Sequence, residues 1–234
     1  MPDAPSVHSL ALSRAGSEPV SVTMTLSSSV VLVTGASSGI GAALARELAA
    51  CGATVAVAAR RTELMQELGA ASIHRVDLSD PAHALQLADE VLATHGRVDV
   101  LVNNAGVRID APVTEIALED LDRSFQVNAL SPLMLACALL PGMRERGAGV
   151  IANVVAPQVS GGRRGMAAYA ASKAALESLT QTLRQEAAGI GVFGFDPGWV
   201  RTDLAPDGPD EPQAAAQRLI VHLEAGRGSR EILS

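Results

Sequence analysis

The sequence predicts a single α/β domain, a doubly wound parallel sheet with helices on both faces. Three observations carry that expectation. From Val30 onward, short β-branched runs alternate with stretches of helical periodicity. The runs are apolar nearly throughout, as strands covered on both faces must be. The chain's 234 residues suffice for one large domain and are too few for two comfortable ones.

The elements follow in order. Residues 30–33 read as a strand ending in a glycine-rich turn. Ile40, Leu44 and Leu48 then fall at helical spacing over 40–50, with Gly52 as the stop. Residues 54–59 form a second strand and 62–68 a second helix. A third strand over 73–76 precedes a helix over 81–94, opened by the cap Ser79-Asp80-Pro81. The fourth strand covers 98–102, and a long helical stretch over 118–140 is interrupted near Pro132. Residues 150–155, 167–188 and 191–195 supply the fifth strand, its helix and the sixth strand. A helix over 213–224 follows three prolines, and 227–234 leave room for a short last strand at most. Right-handed crossovers then place a ligand at the carboxyl ends of the strands. Residues 1–28, rich in Ser and Pro and without a continuous apolar core, read as a disordered extension and not as a signal peptide. The domain is taken as 29–234, with Met24 as an alternative start.

Composition narrows the function. Aromatics are 2% against 48% hydrophobic residues, so the core must be built from Ala, Val, Leu and Ile. A formal net charge of −7 and no long basic run argue against nucleic acid or an anionic membrane as partner. Cys51 and Cys137 read as packing thiols in a reducing compartment, and no His or Cys falls at metal-ligand spacing. No apolar run approaches the ~18 residues of a membrane span, and the expectation is a cytoplasmic protein.

The first strand runs into Thr34-Gly35-Ala36-Ser37-Ser38-Gly39-Ile40-Gly41. Glycines here allow a tight turn, close approach of backbone to a pyrophosphate, and close packing of helix on strand. The following helix points its free N–H groups and positive dipole end at phosphate. Tyr169 and Lys173 stand four residues apart on a predicted helix and so share a face.

With Asp77-Leu78, Asn103-Asn104-Ala105-Gly106 and Pro197-Gly198-Trp199-Val200-x-Thr202, these segments resemble the short-chain dehydrogenase/reductase family in order and interval. The resemblance spans residues ~30 to ~204. It implies a Rossmann-type fold with Gly35, Ser37, Ser38, Gly39, Ile40 and Gly41 as the phosphate turn. Ala59 then holds the position of the acid that selects NAD(H), and Arg60, with Arg61 beside it, offers a guanidinium to a 2′-phosphate, so the cofactor implied is NADP(H). Asp77 and Leu78 are expected to flank the adenine, Asn104 the adenosine ribose, and Val200 and Thr202 the nicotinamide carboxamide. Asn103 is equally a bridge between strands.

By the same resemblance Tyr169 is the general acid/base, Lys173 lowers its pKa, and Asn128 holds a water beside the lysine. The family's fourth member is a Ser thirteen residues before the Tyr, and that position is Ala156. Gln158 or Ser160 are candidate substitutes. Three readings of Ala156 stand side by side: a reductase that tolerates the loss, a relative turned to a non-redox task, or a Ser→Ala replacement that traps substrate. The function implied is reduction of a ketone to a secondary alcohol, and the alternative is a non-redox isomerase, cyclase or cofactor-binding subunit. The substrate pocket would be built by the segment after Ala156, by 163–166 and by a reduced lid after Thr202. The resemblance implies a homodimer through the helices over 118–140 and 167–188.

Overall fold

The computed structural model describes residues 24–159 and 161–226, the Gln158 side chain excepted. Six strands form one sheet: β1 (Val30–Thr34), β2 (Thr54–Ala59), β3 (Ser72–Arg75), β4 (Val100–Asn103), β5 (Val150–Val154) and β6 (Gly191–Phe195). Their order is β3-β2-β1-β4-β5-β6 and every pairing is parallel. The direction of winding reverses between β1 and β4, which opens a crevice at their carboxyl ends.

Side chains alternate between the two faces, and each face meets its own helices. Val31, Val33, Val55 and Val57 point to the face covered by α1 (Gly39–Ala50) and α6 (Pro212–Ala225), where Leu44, Leu48, Leu219 and Leu223 close the core. Leu32, Ala56, Leu101 and Ile151 point to the other face. There α2 (Pro81–His95), α4 (Ser131–Arg146) and α5 (Ala167–Glu186) pack Leu87, Val91, Leu135, Leu139 and Leu183 against them. Small strand residues such as Ala56 and Ala58 let these helices approach closely, as an aromatic-poor core requires.

Most elements fall within about two residues of their expected bounds. Asp80 caps α2 as expected, accepting from the Ala82 N–H at 2.9 Å, with Pro81 in the first turn. The helix expected over 62–68 is only the 3₁₀ turn Thr62–Met65, which drops Met65 into the core before Gly69 turns the chain. The break in the long helical stretch is not at Pro132. It is a π-helical turn, Gln126–Leu130, between α3 (Leu118–Phe125) and α4. Pro132 follows closely on that π-helical turn, in the first turn of α4, and the helix continues through Pro141 to Arg146.

That stretch, Leu118–Arg146, is long and apolar enough by length and composition to cross a membrane, contrary to the sequence reading. Half of its most apolar window is buried, and α4 packs into the core beneath the sheet. Cys51 and Cys137 are both exposed and are not packing residues: Cys51 sits at the end of α1 and Cys137 on the outer side of α4. Of the expected extension, residues 1–23 lie outside the described residues. Met24–Ser28 pack on the domain: the Met24 N–H donates to the Glu224 carbonyl, and Leu26 is 3% exposed in the core. Residues 227–234, where a last strand was considered, are also outside the described residues.

Candidate active site

At the carboxyl ends of the strands lies a cavity of about 760 Å³. Its adenosine end is built by the turn between β1 and α1. Gly35 has φ +68°, and a Cβ there would stand 2.7 Å from the Ala105 Cα. At Gly41 a Cβ would meet the Asn104 Nδ2 at 2.5 Å and the Gly35 carbonyl at 2.6 Å. Asn104 holds the turn by donating from Nδ2 to the Thr34 and Gly35 carbonyls, at 2.9 and 3.3 Å. Ser38 precedes α1 without bonding its backbone, so its hydroxyl does not spend the first N–H groups of the helix. Those donors, this tight turn and the cavity's size fit the pyrophosphate of a dinucleotide.

Gly35, Ser37, Ser38, Gly39 and Ile40 all line the cavity, with Arg60, Arg61, Asp77, Leu78, Asn104, Tyr169, Lys173, Val200 and Thr202. Gly41 and Asn128 do not. Gly41 acts from behind the turn, through the close packing just described. Asn128, in the π-helical turn, is fully buried; its Oδ1 accepts from the Val107 N–H at 2.8 Å. Its Nδ2 donates to the Val107 carbonyl and to the Ser172 Oγ, both at 2.9 Å. The side chain therefore fixes the loop after β4 and α5 relative to each other. Asn103 is a bridge between strands, donating to the Asn153 Oδ1 at 2.8 Å.

Tyr169 and Lys173 rise from α5 one turn apart. The Lys173 Nζ donates to the Val154 carbonyl at 2.7 Å, and complete burial pulls the ammonium down to about 8, with Glu177 opposing. Burial likewise pushes the Tyr169 phenol up to about 12. The Arg108 guanidinium draws the phenol back down and Asp196 pushes it up, while the Lys173 ammonium is turned to Val154. Arg108 lines the same cavity, forks its Nε and Nη2 onto Asp110, and donates from Nη1 to the Leu204 carbonyl at 3.1 Å. Sequence reading passed over this arginine, although its place two residues beyond Gly106 in the glycine-ended strand loop was the available signal.

Ala156 is 2% exposed and packs with Val159, Met166 and Tyr169. It brings no hydroxyl to the phenol. Gln158 lies in the turn Pro157–Val159, but its side chain, like Ser160, is outside the described residues.

A family model described as short chain dehydrogenase matches residues 29–212. An uncharacterized oxidoreductase of Mycobacterium bovis is 40% identical over 170 residues, 67% of this chain and 50% of that protein. The chain thus spans about half the length of that relative. The crystal structure of a short-chain dehydrogenase from Streptomyces avermitilis superposes with a TM-score of 0.82 at 35% identity, covering 88% of each chain. A metagenomic short-chain oxidoreductase crystallised with NADP gives 0.74 at 35% identity over 90% of this chain and 96% of its own. Winding order, glycine turn, Tyr–Lys pair and these likenesses agree: the chain belongs to the short-chain dehydrogenase/reductase family of oxidoreductases.

Proposed function

We propose that this chain is an NADP(H)-dependent reductase that converts a ketone to a secondary alcohol. The observation that carries the reading is one continuous cavity with two distinct ends. At one end are the glycine turn, Arg60 and Arg61, and no carboxylate at the close of β2; at the other are Tyr169 and Lys173. The solved relative holding NADP supports the choice of dinucleotide.

NADP(H), when bound, supplies or accepts the hydride. Arg60 and Arg61 meet the 2′-phosphate, which a carboxylate at Ala59 would repel. With the cofactor bound, Asp77 and Leu78 would border the adenine, Asn104 the ribose, and Val200 and Thr202 the carboxamide. Tyr169 keeps its proton at neutral pH, since burial holds the phenol up to about 12, and so stands ready to protonate a carbonyl oxygen. The phenolate left behind is stabilised by the Arg108 guanidinium, in the absence of a hydroxyl at Ala156. Lys173 holds the base of the site through Val154. Asn128 acts as a positioning residue through Val107 and Ser172.

The test is consumption of NADPH with a panel of ketones, alongside NADPH binding measured without substrate. Turnover of at least one ketone is expected. Binding without turnover of any ketone would defeat the redox reading and favour a non-redox task.

A further inference from the structure

One carboxylate that this scheme does not use, Asp203, is tied to the cofactor end of the cleft. It lies where the segment after β6 crosses the mouth of the cavity. Thr202 and Ala205 close a tight turn by exchanging backbone bonds at 3.2 and 3.0 Å. That turn sits directly on the phosphate loop: a Cβ on Gly39 would stand 2.9 Å from the Thr202 Cγ2. Asp203 extends from it toward the loop. Its Oδ2 accepts from the Ser38 Oγ at 3.0 Å and from the Arg61 Nη2 at 3.2 Å. The same Arg61 nitrogen donates to the Ser38 Oγ at 3.0 Å and the Ser37 Oγ at 3.3 Å. A carboxylate brought in from 142 residues away in sequence therefore occupies donors on the loops that follow β1 and β2.

These donors are the kind that a phosphate takes. A guanidinium and serine hydroxyls beside an uncapped helix start form an anion site, and the free protein fills it with an anion of its own. The hydroxyl of Ser38 and the guanidinium of Arg61 hold the Asp203 carboxyl below its ordinary range, so it is ionised at neutral pH. Both partners are well exposed, 48% for the Arg61 side chain and 64% for that of Asp203, so the pair is exchangeable and not locked.

We propose that Asp203 is an internal competitor for the cofactor's 2′-phosphate, and that it sets how strongly the cleft distinguishes NADPH from NADH. The proposal rests on the dinucleotide reading above. The 2′-phosphate carries more charge than a carboxylate and displaces Asp203 from Arg61. NADH has no 2′-phosphate and leaves the Asp203–Arg61 pair in place. Asp203 also holds the Ser38 hydroxyl beside the pyrophosphate turn, which both dinucleotides use, so the acid costs NADH a little and NADPH more, through Arg61.

The experiment is equilibrium titration of the whole chain with NADPH and with NADH, without substrate, for the parent, Asp203→Asn, Arg61→Ala and the double variant. Asp203→Asn is expected to bind NADPH about three- to tenfold more tightly and NADH by less than about twofold. The gain should shrink as salt screens the carboxylate, and it should vanish when Arg61 is Ala. Equal tightening toward both dinucleotides, no change toward either, or a gain that survives in the Arg61→Ala background overturns the role given to Asp203. A parent chain that binds neither dinucleotide overturns the reading of the cleft itself, and the proposal with it. Matched melting curves of parent and Asp203→Asn show that both are folded when titrated.

Discussion

Restoring a hydroxyl at position 156 separates the chemistry of the site from its stability. Ala156 is 2% exposed, in an apolar cluster with Val159 and Met166 and against the ring of Tyr169. A serine there adds one hydroxyl beside the phenol, at the edge of the cavity that Ala156 already lines. In the free protein a buried hydroxyl without a partner costs about 1–3 kcal/mol. For a domain of this size that lowers the melting temperature by roughly 2–4 °C for each kcal/mol. In the transition state the same hydroxyl donates to the developing oxyanion. A preorganised donor of that kind contributes about 10²–10³ in rate, or about 3–4 kcal/mol off the barrier. The two effects have opposite signs in two different assays. Ala156→Ser should therefore raise kcat for ketone reduction about 10²-fold, leave KM nearly unchanged, and melt a few degrees lower. Steady-state NADPH consumption and a thermal melt read both quantities. A variant that melts lower but turns over within about twofold of the parent refutes the reasoning, because another group then already polarises the carbonyl fully.

Other consequences are equally open to measurement. Lys173 has its ammonium drawn down to about 8 from 10.5, so between these pH values the unfolded chain binds a proton that the folded protein lacks. Stability therefore climbs with pH across that window, and the full cost of burying the charge is carried below it. Lys173→Met should abolish turnover and remove this pH dependence, so the parent gains stability relative to the variant as pH rises from 8 to 10.5, while the Val154 carbonyl that loses its donor costs the variant about 1–3 kcal/mol at every pH. Denaturant unfolding at several pH values checks this, and a pH-independent difference speaks against it. Arg60→Ala should weaken NADPH binding by about 10- to 100-fold and leave NADH within about twofold, as read by titration. Gly41→Ala places a methyl 2.5 Å from the Asn104 Nδ2 and 2.6 Å from the Gly35 carbonyl. It should cost about 1–3 kcal/mol and most of the dinucleotide affinity, and a variant that melts and binds like the parent contradicts the tight packing of that turn.

Much of the fold could be read before the structure because strand and helix periods differ and the glycines and caps punctuate them. Asp80-Pro81 marked the start of α2, and the apolar strands marked a sheet covered on both faces. Where the reading slipped, the cause lay in tertiary packing. Residues 62–68 show a helical pattern, but only 62–65 turn, as one 3₁₀ turn that seats Met65. The π-helical turn at Asn128 has no sequence period of its own and exists because the Asn128 amide is held by Val107 and Ser172. The site was legible wherever its residues are close in sequence, as at Gly35–Gly41 and at Tyr169 and Lys173. Arg108 and Asp203 escaped for the opposite reason. Their meaning depends on partners far along the chain, Leu204 for one and Ser38 with Arg61 for the other. The electrostatics of Tyr169 were likewise hidden, since burial and the direction of the Lys173 ammonium belong to the folded state alone.

The most direct test of the central claim compares the parent chain with Tyr169→Phe, following NADPH binding and NADPH oxidation by a ketone panel on the same samples. The removed hydroxyl is the proton donor in this scheme, while the ring and its packing against Ala156, Val159 and Met166 are retained. The expected result is NADPH binding in both proteins and oxidation by a ketone in the parent alone. Equal turnover in the phenylalanine variant, or a parent that does not bind NADPH, would contradict the claim.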